Sequence, residues 1–126
     1  MRGGIKMPFI MSRTNVKLPK NKELALKKRL GLAIANVPGK SEDVLMVGFQ
    51  DNYPLYLRGQ GDDPLAYIEV SIFGTEDHVG YDKLNFAITQ AFYDVLGIQP
   101  DHLYIKYDDI SSWGVQGQYI DRRDYL

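Results

Sequence analysis

The pair Met7-Pro8 is the part of this sequence whose residue types most directly suggest chemistry. A proline nitrogen is a secondary amine, and therefore a base, only when proline is the first residue of the chain. If Met7 initiates the chain and is removed, Pro8 presents that amine at the head of an apolar strand. If residues 1–6 remain attached, the same nitrogen is a tertiary amide without basicity. Any chemistry at Pro8 therefore depends on where the functional chain starts.

Composition limits the other kinds of chemistry that the chain can carry. Its 126 residues fit one domain, and its 44% hydrophobic and 25% charged residues are ordinary for a globular protein. The 15 basic and 16 acidic side chains give a net charge of −1, which predicts no bulk attraction to nucleic acid or anionic membranes. The absence of cysteine excludes disulfides, zinc–thiolate sites and thiol nucleophiles.

Neither a metal site nor a membrane segment is expected. His78 and His102 have no second histidine or carboxylate at a metal-ligand spacing, so we interpret both as surface loop residues. No apolar run approaches the roughly 18 to 20 residues that a membrane span requires. Residues 1–6 are basic but lack the apolar region of a secretory signal behind them. We therefore expect a cytoplasmic protein without cofactors.

Periodic apolar residues predict a strand, a helix and a second strand in the first half of the chain. Residues 8–16 begin apolar and favour a strand. The residues that share one helical face from Pro19 onward are Leu26, Leu30, Ala33, Ile34 and Val37. Pro38 and Gly39 end this helix, because proline disfavours the helical conformation before it and glycine accepts a left-handed cap. The nearly continuous apolar run Val44–Phe49 predicts a strand buried on both faces.

The second half repeats this order after a loop over residues 50–64. The β-forming run Ala66–Phe73 predicts a strand. The residues with helical spacing that follow are Leu84, Ala87, Ile88, Ala91, Phe92, Val95 and Leu96. Gly97 caps that helix, and Leu103–Tyr107 predicts another strand. We interpret residues 108–126 as a loop that leads into a charged tail.

The repeat predicts the fold class. Each half is strand, helix and strand, and a strand that returns parallel after a helix crosses over right-handedly in almost all proteins. Two such units give an α/β domain with a four-stranded mixed sheet and both helices on one face. The other face stays uncovered although the strands are apolar on both sides, so we expect it to pack against other copies in a closed oligomer.

Several short motifs occur in an order that resembles the macrophage migration inhibitory factor and tautomerase superfamily, from Met7 to Ile120. They are Met7-Pro8, Thr14-Asn15-Val16, Gly39-Lys40, Gly59 through Asp63-Pro64, Phe73-Gly74 and Leu103-Tyr104-Ile105. The resemblance implies a homotrimer with active sites between subunits. It also implies an enzyme whose terminal proline is acid and base in the keto–enol tautomerisation of substrates such as phenylpyruvate. On this basis residues 7–120 form the domain, residues 1–6 are a tag or an upstream mis-start, and residues 121–126 are a flexible tail or a strap on the next subunit.

The resemblance also implies roles for particular residues. Pro8 would be the catalytic base and Lys40 the cation beside it. Phe73 would offer its backbone amide to the substrate carboxylate, and Tyr104 would line the pocket from the neighbouring subunit. These roles agree with elementary chemistry, because an apolar pocket and the charge of Lys40 both lower the pKa of a proline amine toward the working pH. Lys40 also attracts the carboxylate of an α-keto acid and the developing enolate oxygen.

Two positions of the expected site depart from the family pattern. Lys106 stands where an asparagine is common, and its positive charge would strengthen binding of the substrate carboxylate. Val115 stands in place of an aromatic pocket wall, and Trp113 lies two residues earlier. Val115 is therefore the residue that we assign to the substrate-facing surface there.

Simpler interpretations of the same residues stay open. Pro8 also fits a purely structural role as the first residue of a strand. Lys40 also fits the role of a surface lysine that complements the dipole at a helix end. Lys106 has Asp108 or Glu69 as an alternative partner. For the whole chain, the alternatives are a non-catalytic trimeric binding or cytokine-like protein in which residues 1–6 cover the pocket, and a hydrolase or dehalogenase of the same superfamily.

Overall fold

The computed structural model describes residues 7–73 and 77–125, and the elements in those residues follow the predicted repeat. The helices and strands are β1 (Pro8–Thr14), α1 (Lys20–Ala33), β2 (Met46–Gln50), β3 (Ala66–Phe73), α2 (Tyr81–Leu96), β4 (Leu103–Ile110), β5 (Ser112–Val115) and β6 (Gln118–Asp121). The predicted extension over residues 1–6, Gly74 of the Phe73-Gly74 motif and the last residue of the tail lie outside the described residues.

The main sheet has four strands in the order β2-β1-β3-β4. β1 is parallel to β2 and antiparallel to β3, and β3 is parallel to β4. The mixed sheet of two β-α-β units is therefore confirmed. The repeat extends to its turns, because Gly39 and Gly97 both have positive φ (79° and 69°), and short 3-10 turns precede β2 and β4.

Both helices pack on one face of the sheet and form the core with it. In β1 and β3 every second residue is buried, as expected for strands with one covered face. The largest of the fully buried side chains are Phe73, Phe92, Ile10, Leu26, Leu30, Ile34, Ile68, Ile72, Leu84, Ile88, Ile98 and Val37. Neither helix has the length and apolar character needed to cross a bilayer within the described ranges.

The opposite face of the sheet is only partly buried in the single subunit and carries a row of charges. Arg13 of β1 donates to Glu69 of β3 over 2.8 Å. Lys106 of β4 lies 3.3 Å from Glu69 and 3.5 Å from Asp108. We call this row, Arg13, Glu69, Lys106 and Asp108, the charge ladder. Its signs alternate along the row.

Two details of the sheet differ from the sequence prediction. The expectation that Val44–Phe49 is buried on both faces is wrong for this subunit, because β2 is an edge strand whose first residue, Met46, is 68% exposed. Residues 108–121 are not a loop and tail. β4 continues to Ile110, and β5 and β6 form an antiparallel hairpin.

The hairpin closes through the two residues Gln116 and Gly117, whose φ angles are 52° and 79°. With positive φ at both central residues, the twist of the turn matches the right-handed twist of the two strands that it joins. Asn-Gly and Asp-Gly are the strong sequence signals for this turn, and Gln-Gly is a weak one. Beyond β6, Arg122–Tyr125 form a short 3-10 turn.

Candidate active site

Pro8 is buried at the start of β1 and borders the cleft that we take as the candidate site. Its position suits a proline, because the first residue of a strand needs no donor for the ladder. The cleft has a volume of about 580 Å³ and opens to solvent. Three segments line it, namely residues 7–9, 43–46 and 113–116. Its walls are mostly apolar, and the side chains of Asp43 and Gln116 are polar.

The β5–β6 hairpin supplies one wall of this cleft. Val115, assigned to the substrate-facing surface from the sequence, does line the cleft beside Pro8. Trp113 also lines it, so the displacement of the tryptophan by two residues along a strand leaves its side chain at the same cleft. Trp113 pairs across the hairpin with Ile120, which is 8% exposed. Sequence reasoning missed Phe9 and Met46, which also line the cleft and which periodicity placed only within strands.

Lys40 is 5% exposed and follows Gly39 at the end of the first helical segment. Its backbone N–H donates to the Val37 carbonyl over 3.0 Å, which fixes the turn that carries it. A buried ammonium requires compensation by polar or charged groups, so the alternative of a solvated surface lysine does not fit. Lys40 is not among the residues that line the cleft and lies three residues before Asp43, which does line it.

Phe73 is the last residue of β3 and is 2% exposed. It lies next to Ile72, whose Cα pairs with that of Pro8 across β1 and β3. The backbone of Phe73 therefore reaches the same end of the sheet as Pro8. This placement is compatible with the expected use of its amide.

Tyr104 lies at the opposite end of the sheet from Pro8. It pairs with Tyr67, which pairs in turn with Arg13 near the end of β1. The seven residues of β1 span roughly 20 Å at about 3.3 Å per residue. Tyr104 is 63% exposed. One subunit therefore does not bring Tyr104 to its own Pro8, and a shared site requires another copy.

Lys106 belongs to the charge ladder at the middle of the uncovered face. Its contacts with Glu69 and Asp108 are those that the sequence left as the alternative to ligand binding. The carboxylates raise the pKa of Lys106, first through the hydrogen bond that its ammonium donates to Glu69 and then through the charge of Asp108. Hydrogen bonding from the Arg13 guanidinium, followed by Lys106, lowers the pKa of Glu69. Both shifts favour the charged forms of Lys106 and Glu69.

A second polar group lies on the helix side of the sheet at the end where Pro8 is found. His78 Nε2 lies 2.9 Å from both carboxylate oxygens of Asp109, and its ring stacks on Tyr81 at 4.4 Å. Burial, with the negative charges of Asp109 and Asp77, raises the pKa of Tyr81 to about 12. Its phenol is therefore neutral under physiological conditions. The sequence interpretation of His78 as a surface residue missed this stacking.

Comparison with known proteins identifies the same family that the motifs resemble. Residues 7–119 match the family model of macrophage migration inhibitory factor (MIF). No protein with a curated description matches the sequence significantly.

Solved structures reproduce the fold over nearly its whole length. Leishmania major MIF2 is 26% identical, with a TM-score of 0.83, and the match covers 90% of this chain and 97% of that chain. The macrophage migration inhibitory factor homologue of Prochlorococcus marinus is 23% identical, with a TM-score of 0.78 and coverage of 88% and 97%. Pt0534, solved after inactivation by 2-oxo-3-pentynoate, is 16% identical, with a TM-score of 0.78 and coverage of 92% and 98%.

Proposed function

The chain belongs to the macrophage migration inhibitory factor family, and from this premise we propose that it is a keto–enol tautomerase of α-keto acids such as phenylpyruvate. In this proposal Pro8 is the general base and acid, and its amine is free because the functional chain starts at that residue. The observation that carries the proposal is the position of Pro8 at the head of β1, on the edge of a large apolar cleft.

The chemistry needs one base in an environment that keeps it uncharged. The proline nitrogen takes a proton from the carbon next to the keto group, and the carbonyl oxygen gains a proton as the enol forms. The reverse transfer regenerates the ketone, so no atom or electron is gained or lost. Apolar walls such as Trp113 and Val115 disfavour the charged amine, which favours the basic form of Pro8.

Lys40 and Phe73 are proposed to bind and stabilise the charged groups of the substrate. The buried ammonium of Lys40 contributes positive potential at the Pro8 end of the sheet, where it stabilises the enolate oxygen and the substrate carboxylate. The backbone N–H of Phe73 is the proposed hydrogen-bond donor to that carboxylate. Val115 and Trp113 contact the apolar part of the substrate.

The proposed active form is a homotrimer, in which the uncovered sheet faces of three copies meet. A neighbouring copy then supplies Tyr104 as a pocket wall and Lys106 as a further cation. The partial burial of that face and the large exposed fraction of Tyr104 in one subunit support this assembly. Pt0534, which has the same fold, is inactivated by 2-oxo-3-pentynoate, a 2-oxo acid. This supports α-keto acids as the substrate class.

The deciding experiment compares the chain that begins at Pro8 with the same chain carrying Pro8→Gly. Intact mass establishes the first residue, and native mass establishes the number of copies. We expect the Pro8 chain to catalyse enolisation of phenylpyruvate and the Pro8→Gly chain to lose about 10²- to 10⁴-fold in kcat/KM. The chain that retains residues 1–6 is the matched control and should be as inactive as the variant.

A correctly processed Pro8 trimer without tautomerase activity would reject the proposal and leave the non-catalytic trimeric binding protein. Lys40→Met provides a second check, because methionine keeps the apolar stem and removes the charge. We expect this variant to lose about 10- to 100-fold in kcat/KM, with KM affected. Its melting temperature should fall as well, because the groups that compensate the buried ammonium lose their partner, so both chains are compared at a temperature at which native mass shows each to be assembled.

A further inference from the structure

A second, smaller pocket lies at the end of the sheet remote from Pro8. It has a volume of about 170 Å³ and lies between the loop before β3 and the starts of β3 and β4. Its lining is mainly apolar and includes Tyr56, Tyr67 and Tyr104. Tyr56 and Tyr104 are 75% and 63% exposed. Two large aromatic side chains thus border one small pocket and still present most of their surface to solvent.

The loop that carries Tyr56 is held in place by several hydrogen bonds. Leu57 and Gln60 exchange backbone hydrogen bonds of 2.9 Å in each direction. The side chain of Asn15 donates to the Asp63 carbonyl over 2.9 Å and accepts from the Leu65 N–H over 2.8 Å. The position of Tyr56 is therefore set by the body of the domain, and its ring is available to a ligand without ordering a loop first.

The pocket is continuous with the uncovered sheet face. Tyr67 and Tyr104 point to the side of the sheet that carries the charge ladder, as their register with Arg13 shows. The alternating signs of Arg13, Glu69 and Lys106 make this face complementary to a second copy of itself. A second copy is therefore the occupant that this end of the face best accommodates.

We propose that Tyr56, which borders the same small pocket as Tyr104, extends the wall that Tyr104 supplies to the Pro8 cleft of a neighbouring copy. Tyr56 is then a specificity-determining residue that selects α-keto acids bearing an aryl group. This inference rests on the proposed function and adds a residue to that site. Two phenol rings from one copy and the indole of Trp113 from the other enclose an aromatic ring, whereas an aliphatic keto acid gains little from them.

The first test measures specificity in the chain that starts at Pro8. We expect Tyr56→Ala to lower kcat/KM for phenylpyruvate about tenfold and to leave kcat/KM for 2-oxobutanoate within about twofold of the parent. Tyr56→Phe keeps the ring and should retain the parent ratio. Tyr93→Ala removes an exposed tyrosine from α2 and should leave kcat/KM unchanged for both substrates. Equal losses for both substrates, or no loss for either, would overturn the specificity role.

The second test does not need activity and uses the absence of cysteine from the sequence. Tyr56→Cys is combined with Gly114→Cys, since Gly114 lines the Pro8 cleft and an added side chain there meets open space. In one chain these positions lie at opposite ends of the sheet. Because the proposed site leaves room for an aromatic ring between these positions, they are too far apart for a direct disulfide. We therefore expect a bis-maleimide crosslinker to link the chains, seen on a denaturing gel.

The matched control pairs Tyr93→Cys with Gly114→Cys and should stay unlinked. If the Tyr56 and Gly114 pair also stays unlinked in a chain that forms trimers, the extension of the wall by Tyr56 is wrong. If the link forms while the Pro8 chain shows no tautomerase activity, the proposed function fails and the contact between copies stands.

Discussion

Glu69 and Lys106 lie directly opposite each other on β3 and β4, and their charged groups are 3.3 Å apart on the uncovered face of the sheet. Arg13 reaches the same carboxylate from β1 over 2.8 Å. Asp108 is a second carboxylate within 3.5 Å of Lys106. The positive charge of Lys106 is therefore largely compensated before any substrate binds.

This compensation limits the effect expected of Lys106→Gln. We expect KM for phenylpyruvate to rise by no more than about fivefold, with kcat unchanged, because a partly exposed and already paired ammonium adds little binding free energy. Steady-state kinetics at constant ionic strength measure the effect. A rise above about 20-fold would show that Lys106 is a principal anchor of the carboxylate.

The ion pairs of Glu69 should make the stability of the chain depend on pH. Its pKa in the folded chain is lowered below the ordinary value of 4.5, first by the hydrogen bond from Arg13 and then by Lys106. A lowered folded pKa contributes stability above the unfolded pKa, and that contribution is lost as pH falls through the folded value. We expect Glu69→Gln to be about 1 kcal/mol less stable than the parent at pH 7 and about equal to it near pH 3.

Urea unfolding at both pH values measures this difference, and the comparison between parent and variant cancels the other carboxylates. A gap that widens on acidification would contradict the assignment of Glu69 to the charge ladder.

Trp113→Ala tests the hairpin as a wall of the cleft. We expect KM for phenylpyruvate to rise about tenfold, because an indole face that contacts an aryl ring is lost. The matched control is Tyr119→Ala on the partner strand, since Tyr119 is 73% exposed and is not among the residues that line the cleft. If both variants weaken binding equally, the effect comes from the stability of the hairpin and not from contact with substrate.

Gly80 and Gly97 flank the two ends of α2, so replacing each with alanine compares the two ends in free energy of unfolding. Both have positive φ, 84° and 69°. A Cβ at Gly80 would collide with the backbone carbonyl of Asn36, whereas one at Gly97 meets nothing within 4 Å. We expect Gly80→Ala to cost at least about 2–3 kcal/mol and Gly97→Ala about 1 kcal/mol. Denaturant unfolding measures both, and equal costs would show that the contact with Asn36 relaxes freely.

Local patterns were sufficient for the elements whose burial follows from their own sequence. The predicted strand Ala66–Phe73 has the bounds of β3, and α2 ends at Leu96 with Gly97 as its cap, as expected. β3 and α2 are consecutive elements of one repeat unit, and the apolar spacing of each, with the glycine cap of α2, is sufficient to predict them.

The predictions were less complete where an element depends on position in the sheet. The run Val44–Phe49 is apolar, but sequence gives no indication that β2 is at the edge. The hairpin was missed because Gln116-Gly117 is a weak turn signal and because four-residue strands give little periodicity. For the site, motif order placed Pro8, Val115 and Phe73 at one end of the sheet. The burial of Lys40 and the pairing of Lys106 depend on contacts between distant segments, which spacing along the chain does not contain.

The edge position of β2 has a consequence for how the chain behaves when it is alone. Its sequence, Met46–Gln50, contains no charge and no proline, which are the features that normally prevent a strand edge from recruiting other chains. The other edge, β4, carries Lys106, Asp108 and Asp109. A solitary copy therefore exposes one protected edge and one unprotected edge, and β2 is the strand at which uncontrolled aggregation of this chain would begin.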